Sequence, residues 1–191
     1  MEYSRIISDD IENIVHITLD NLTGGMAISN EMENHVKAGN YFGIKATENG
    51  DMKGFIAVTK GIEFTLPHPE LEEELSKRFP REMVMTGDGA YVDPSCRRKG
   101  ICSELVHRMM KQMLDMGCHY LLAELWEHPD GVVPMKTPVE LFGTPVFEKR
   151  IPLFYKDISH YGMICPICGT NCKCSALVRV IDIRANHDKN I

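Results

Sequence analysis

Four of the seven cysteines, Cys165, Cys168, Cys172 and Cys174, crowd into one stretch with the spacing C-x2-C-x3-C-x-C. Thiolates this close in sequence can close a tetrahedral shell around Zn²⁺ at about 2.3 Å, and Cys165-Pro166-Ile167-Cys168-Gly169 has the form of a zinc-ribbon knuckle. Structural zinc is the first expectation. The spacing differs from the C-x2-C-x2-C-x3-C run of bacterial ferredoxins, which leaves free or redox-active thiols second and an iron–sulfur cluster third. A second group of residues suited to chemistry is Ser95-Cys96-Arg97-Arg98-Lys99-Gly100-Ile101-Cys102. Three consecutive cations and a glycine ahead of a helical apolar pattern make an anion site. Unpaired backbone N–H groups and the positive end of the helix dipole meet there, and glycine lets a backbone come close. Phosphate is the expected ligand. Cys96 and Cys102 sit among these cations, which predicts lowered thiol pKa values.

These residues need elements to hold them. Met83 to Val92 reads as one strand, broken by Asp93-Pro94. The helix that follows carries Ile101, Leu105, Met109, Met113 and Met116 on one face and stops at Gly117. Upstream, residues 3–7 read as a strand. A helix starting at Asp9 or Asp10 has Ile11, Ile14, Val15, Thr18 and Leu22 at helical spacing and ends at Gly24-Gly25, and Asn30 with Glu33 marks the cap of another that stops near Gly39. Tyr41 to Thr47 and Gly54 to Thr59 form a hairpin across Asn49-Gly50. The acidic run Glu70-Leu71-Glu72-Glu73-Glu74-Leu75, between Pro67 and Pro80, reads as a surface helix. Tyr120 to Leu125 is the next strand. Leu153 to Ile158 and Ala176 to Ile183 are read as strands flanking the cysteine cluster, so that a metal would staple the hairpin completing the sheet.

The run from Tyr91 to Cys102 resembles the acetyl-CoA-binding motif of the GNAT N-acetyltransferases, a strand leading to Arg/Gln-x-x-Gly-x-Gly/Ala and a helix. Arg97 and Gly100 fit, while Cys102 stands where that family prefers glycine or alanine. The resemblance, which reaches to about residue 160, implies an α/β (mixed) fold with a twisted central mixed sheet flanked by helices, while chain length gives one domain over residues 1–191 that includes the 165–174 metal hairpin. The resemblance also implies that Val92, Arg97, Arg98, Lys99, Gly100, Ile101, Cys102 and Ser103 bind coenzyme A. Backbone N–H groups from Arg98 to Ser103 would take the pyrophosphate, and pantetheine would lie along the strand ending at Val92. Acetyl transfer would follow from direct attack of an amine on the thioester in a ternary complex, the protein supplying positioning, a base and an acid.

For the base the resemblance points to Asp88, and Glu124, Glu127 and His128 are further candidates. For the acid it points to a tyrosine in a segment where this chain has Val146-Phe147-Glu148-Lys149-Arg150-Ile151. Phe147 fills the tyrosine's place, which passes the role to Tyr155, to Tyr161 or to water. Phe147 also keeps open a different class of function, an acyl-CoA-binding or metal- or redox-sensing module without turnover. The expected co-substrate is acetyl-CoA and the expected metal Zn²⁺.

Composition sets outer limits. The chain has 191 residues, 43% hydrophobic and 25% charged, with a formal charge of −6, the profile of an ordinary globular protein. A net negative charge argues against nucleic acid as a partner, since that affinity rests on cations neutralising phosphates. No apolar run approaches the roughly 20 residues that cross a bilayer, so no membrane partner is expected. The opening residues Met1-Glu2-Tyr3-Ser4-Arg5 lack the pattern of a secretory signal, giving a cytoplasmic expectation. The partner expected is an amine on a small molecule or a protein, with a second copy of the chain where it forms a homodimer.

Overall fold

Asn49 and Gly50 both take positive φ, 54° and 87°. That backbone closes a two-residue turn whose twist matches the flanking strands. In the computed structural model, which describes residues 1–21 and 32–187, this turn joins β2 (Tyr41–Glu48) to β3 (Asp51–Lys60). The strand before them is β1 (Glu2–Arg5). After them come β4 (Val84–Val92), β5 (Tyr120–Glu127), β6 (Pro145–Ile151) and β7 (Ser175–Asp182). All seven lie in one mixed sheet of order β1-β2-β3-β4-β5-β7-β6. Every neighbouring pair is antiparallel except β4 and β5, which are parallel.

The helices are α1 (Ile11–Asn21), α2 (Pro69–Arg78), α3 (Ile101–Asp115), α4 (Lys136–Glu140) and α5 (Arg184–His187), and residues 32–37 are also helical. The ends of the first two predicted helices, at Gly24-Gly25 and at the Asn30 cap, lie outside the described residues. The crossover helix between the parallel strands, α3, buries Ile101, Leu105, Met109 and Met113 at its four-residue spacing, with Val106 and Met110 beside them. They pack on one face of the sheet against Ile44, Ile56, Met85, Leu121 and Leu125, where Val139 and Phe142 from α4 and its C-terminal end join them. Gly117, at φ 75°, ends the helix as its sequence predicts.

The opposite face carries two further clusters. One sets Ile11 and Ile14 of α1 against Phe55 and Ala57. The other sets Leu71 and Leu75 of α2, with Phe154, Tyr155 and Ile158, against Val84, Leu122, Val178 and Val180. The acidic run thus forms a helix that buries its two leucines and presents its glutamates outward.

One strand moves relative to expectation. Residues 153–158 are turns leading into a 3-10 segment, Ile158–Tyr161, and the partner of β7 is β6, over residues 145–151. Leu153 takes φ 54°, in the left-handed region that a strand cannot use. The apolar residues after it serve to fill the core beneath the cysteines. The hairpin that completes the sheet is therefore β6–β7, with all four cysteines in its long connection.

Candidate functional site

β4 and β5 pair only through Val84, Met85 and Thr86 with Tyr120, Leu121 and Leu122. Beyond Thr86, β4 pairs with β3 alone, and beyond Leu122, β5 pairs with β7 alone. The two parallel strands therefore splay, opening a cleft in the sheet's middle. Opposite Ala57 and Val58 of β3 stand Gly89 and Gly87, which leaves Asp88 as the extra residue of a β-bulge. Flanking glycines permit it, and a bulge is a common device for redirecting a side chain beside a site.

β4 runs directly into the basic loop. The Asp93 carboxylate accepts from the Ser95 N–H at 2.8 Å and from its hydroxyl at 2.6 Å, closing the Asp-Pro turn. The Ser95 hydroxyl first, then the Ser95 N–H, holds the Asp93 carboxyl below the usual carboxylate range. Arg97 turns back, its Nε donating to the Val92 carbonyl at 3.0 Å. Arg97 thus ties the loop to the end of β4. Arg98 and Gly100 take φ of 61° and 80°, and Gly100 caps α3 with no side-chain hydrogen bond at the helix start. Alternation of this kind turns successive N–H groups toward one concavity, a nest for anions. A Cβ on Gly100 would meet nothing within 4 Å, so the concavity is open. Beside it a groove of about 400 Å³ runs past Gly100, Ser103, His107, Met110 and Leu141. Val92, Arg98, Lys99, Ile101 and Cys102 complete the loop and first helical turn, with Ile101 buried and Cys102 half-buried. Burial raises the Cys102 thiol, which corrects the expectation of a lowered value among the cations.

Two carboxylates face the cleft from the side opposite α3. Burial, and then the Asp88 charge, raises the Tyr41 hydroxyl, so Asp88 stands against that tyrosine on the α1 face. On β5, Leu121, Ala123 and Leu125 point to α3, which puts Glu124 on the other face with Leu122 and Trp126. Both Glu124 oxygens are occupied: Oε1 accepts from the Tyr155 hydroxyl at 2.6 Å and Oε2 from the Thr65 N–H at 2.9 Å. Tyr155 is 3% exposed. Burial first, then the Glu124 charge and hydrogen bond, holds its pKa well above a normal tyrosine's. Thr65 lines a second groove, of about 470 Å³, with His35, Glu63, Phe64, Glu72 and Tyr161. The sequence marks Tyr155 and Glu124 as separate candidates, and a separation of 31 residues hides their pairing.

Glu127 is bound to Arg150 at the far end of β5, and His128 begins the turn after it, accepting from the Gly131 N–H through its carbonyl. Phe147 is buried on β6 with the Arg78 guanidinium over its ring, 5.1 Å from the centroid. It offers the cleft no hydroxyl.

The four cysteine sulfurs lie within 4.8 Å of one another. Cys174 is 3.8 Å from Cys165 and 3.7 Å from Cys168. A tetrahedron with metal–sulfur bonds near 2.3 Å has edges of about 3.8 Å, so the spacing suits a single ion and leaves no room for a multi-iron cluster. The Cys168 N–H donates to the Cys165 sulfur at 3.3 Å, and a Cys165–Gly169 backbone bridge closes the knuckle. Burial raises Cys172 and Cys174, whereas at Cys165 burial is outweighed by the N–H groups of Cys168 and Ile167 together with the Cys172 and Cys174 side chains, and the thiol is lowered. Four crowded sulfurs with N–H donors among them are the donor set of a soft divalent cation.

Comparison with known proteins agrees with this fold. Residues 18–132 match the sequence profile of the Acetyltransferase (GNAT) family. The fold is similar to the ribosomal-protein-S18-alanine N-acetyltransferase from Escherichia coli, at TM-score 0.60 and 14% identity over 95% of this chain and 93% of that one. It is also similar to yncA from Salmonella typhimurium with its cofactor acetyl-CoA (TM-score 0.59, 14% identity, 96% and 94% covered). An aminoglycoside 6'-N-acetyltransferase complexed with coenzyme A gives TM-score 0.61 and 12% identity over 96% and 97% of the two chains. No curated protein matches. Among the described residues no helix is long and apolar enough to cross a membrane.

Proposed function

The chain belongs to the GNAT acetyltransferase family, and from that premise we propose that it transfers the acetyl group of acetyl-CoA to an amine of a small molecule or a protein. The observation that supports this reading is the β4/β5 splay, which opens after Thr86 and Leu122, with the Asp88 bulge further along β4 and Glu124 further along β5. The N–H groups from Arg98 to Ser103 take the pyrophosphate, Lys99 adds charge, and the pantetheine arm lies along β4 to the cleft. Backbone N–H groups that β4 leaves without a β5 partner after Thr86 are available to polarise the thioester carbonyl.

The amine enters from the α1 face. Asp88 draws the ammonium form in, Glu124, through a water or directly, takes one proton to free the nitrogen lone pair for attack, and the adduct gives its second N–H proton to water in the cleft as it collapses. The C–N bond forms, the tetrahedral adduct collapses, and the C–S bond breaks to give acetylated amine and the CoA thiolate. Tyr155 holds its proton more tightly than a thiol does, since burial and Glu124 both oppose its ionisation. In this reading Tyr155 orients Glu124, and the thiolate is protonated from the open cleft. The residues 165–174 form the structural zinc site, with Cys165, Cys168, Cys172 and Cys174 as ligands, within one acetyltransferase unit.

Calorimetric titration with acetyl-CoA tests the cofactor half. Binding by the native chain that disappears in Gly100→Glu, whose carboxylate would project into the concavity, supports it. Absence of binding by the native chain overturns it. Phe147 favours a second reading, a CoA-binding module without turnover, and acetyl-CoA binding with no CoA formed across amine acceptors would select it.

A further inference from the structure

Between the cysteine cluster and the cleft lies a continuous packed path. Trp126, on β5, is the only tryptophan in the chain. Its indole Nε1 is buried without a hydrogen-bond partner, and Trp126 packs against the core cluster that holds Cys165, Cys172 and Cys174. A buried indole N–H in the core that holds these sulfurs suits a metal-bound thiolate far better than a neutral thiol, because sulfur accepts weakly until charged. The other side of Trp126 meets Tyr155, ring centroids 5.0 Å apart, and Phe154 closes on Tyr155 edge-on at 4.9 Å. Tyr155 then donates to Glu124 at 2.6 Å.

The segment that carries Tyr155 has little regular secondary structure and is held by side-chain packing and by this cluster. Residues 152–174 hold one 3-10 segment and one isolated bridge, and that bridge is the Cys165–Gly169 knuckle itself. Cys165, Cys172 and Cys174 are buried in the same core cluster as Phe154, Tyr155 and Ile158, with Trp126 packed against it. An ion joining four points along ten residues would therefore lock the whole connection, Tyr155 included.

We propose that the four-cysteine site is a positioning device for catalysis, in which a bound zinc ion fixes Glu124 through Trp126 and Tyr155, so that metal occupancy regulates acetyl transfer. This rests on the transferase reading and deepens it. Zinc takes no part in the chemistry. It acts as outer partners act on any reactive group, by removing competing orientations. Loss of zinc frees one of the two Glu124 oxygens while leaving the Thr65 contact and the entire cofactor loop in place.

The experiment uses the full chain under reducing conditions, loaded with one equivalent of zinc, then stripped with a chelator, then reloaded. Three readouts are taken: Trp126 fluorescence, acetyl-CoA affinity by calorimetry, and turnover with an acceptor from an amine screen, with CoA separated by chromatography so that no thiol reagent touches the cysteines. Stripping is expected to change Trp126 emission, to leave acetyl-CoA affinity within about twofold, and to lower kcat by about 10- to 100-fold, all reversed by zinc. A stripped protein that keeps a cooperative unfolding transition and either its emission or its kcat overturns the proposal.

If stripping unfolds the chain, the zinc-loaded Trp126→Leu variant decides. Retained zinc and acetyl-CoA binding with a fall in kcat, recovered in part by Trp126→Phe, supports the path, and an unchanged kcat overturns it. A loaded chain that binds no acetyl-CoA sinks the transferase reading and the regulatory half with it. The emission change then judges whether metal and Trp126 are linked at all.

Discussion

Glu124 is held at both oxygens, one by a backbone N–H and one by a buried hydroxyl. Such a carboxylate has a fixed direction, which a proton acceptor in a short-lived encounter needs. Glu124→Gln keeps the shape and the Tyr155 contact but cannot take a proton. It is expected to lower kcat by about 10²- to 10⁴-fold with acetyl-CoA affinity unchanged, because general-base assistance contributes on that order. Tyr155→Phe leaves the carboxylate in place but unsteered, so a smaller fall in kcat is expected, without the change in acceptor KM that Asp88→Asn should bring. Steady-state kinetics on the three variants reads the division of roles, and a full rate in Glu124→Gln would return the base to Asp88. The sequence made Asp88 visible beside a recognisable loop and Tyr155 visible as the first tyrosine after the Phe147 segment. It hid what each does, since a bulge depends on the register of β3 against β4 and the Tyr155 partner lies on another strand.

At the scale of elements, what is local was legible. The four-residue apolar spacing of α3, its glycine stop and the Asn49-Gly50 turn each specify a conformation from neighbours in sequence. The 145–174 region was not legible in the same way. Phe154, Tyr155 and Ile158 are apolar because they lie under the cysteines, while β6 has mostly exposed side chains and is a strand by its pairing with β7. The turn between β4 and α3 shows how a local contact serves the site. Asp93 caps it through Ser95, and its carboxyl is held below 3.8, its ordinary value. A carboxyl lowered by folding stabilises the fold above its unfolded pKa, and that contribution is lost as the pH falls through the folded one. Asp93→Ala is therefore expected to weaken acetyl-CoA binding and lower the denaturation midpoint at neutral pH. Denaturant titrations should show the difference shrinking below pH 3.8 and vanishing once the native carboxyl is protonated. A difference that persisted under acid would assign the effect to packing.

The whole molecule separates the two proposed binding sites by face. The cofactor loop and α3 belong to the core on one side of the sheet, and the cysteine connection belongs to the core on the other. Sites that share no partners contribute additively to stability, to within about 0.3–0.5 kcal/mol. Acetyl-CoA at a hundredfold over its Kd should stabilise the native state by about 2.7 kcal/mol, since it binds the folded chain alone. That gain is expected to be the same in zinc-loaded native protein and in Cys172→Ser. The stabilisation by zinc is expected to survive in Gly100→Glu, which has lost the cofactor gain. Unfolding measured over this cycle of two ligands and two variants therefore reports whether the faces are independent in binding. Independence there, together with a kcat that depends on zinc, would place the coupling between metal and cofactor in the orientation of Glu124, the one group in the cleft tied through Tyr155 to the metal face. A coupling in stability larger than the additive limit would mean instead that the sheet itself transmits the metal's effect, and that the β4/β5 splay changes width when zinc binds.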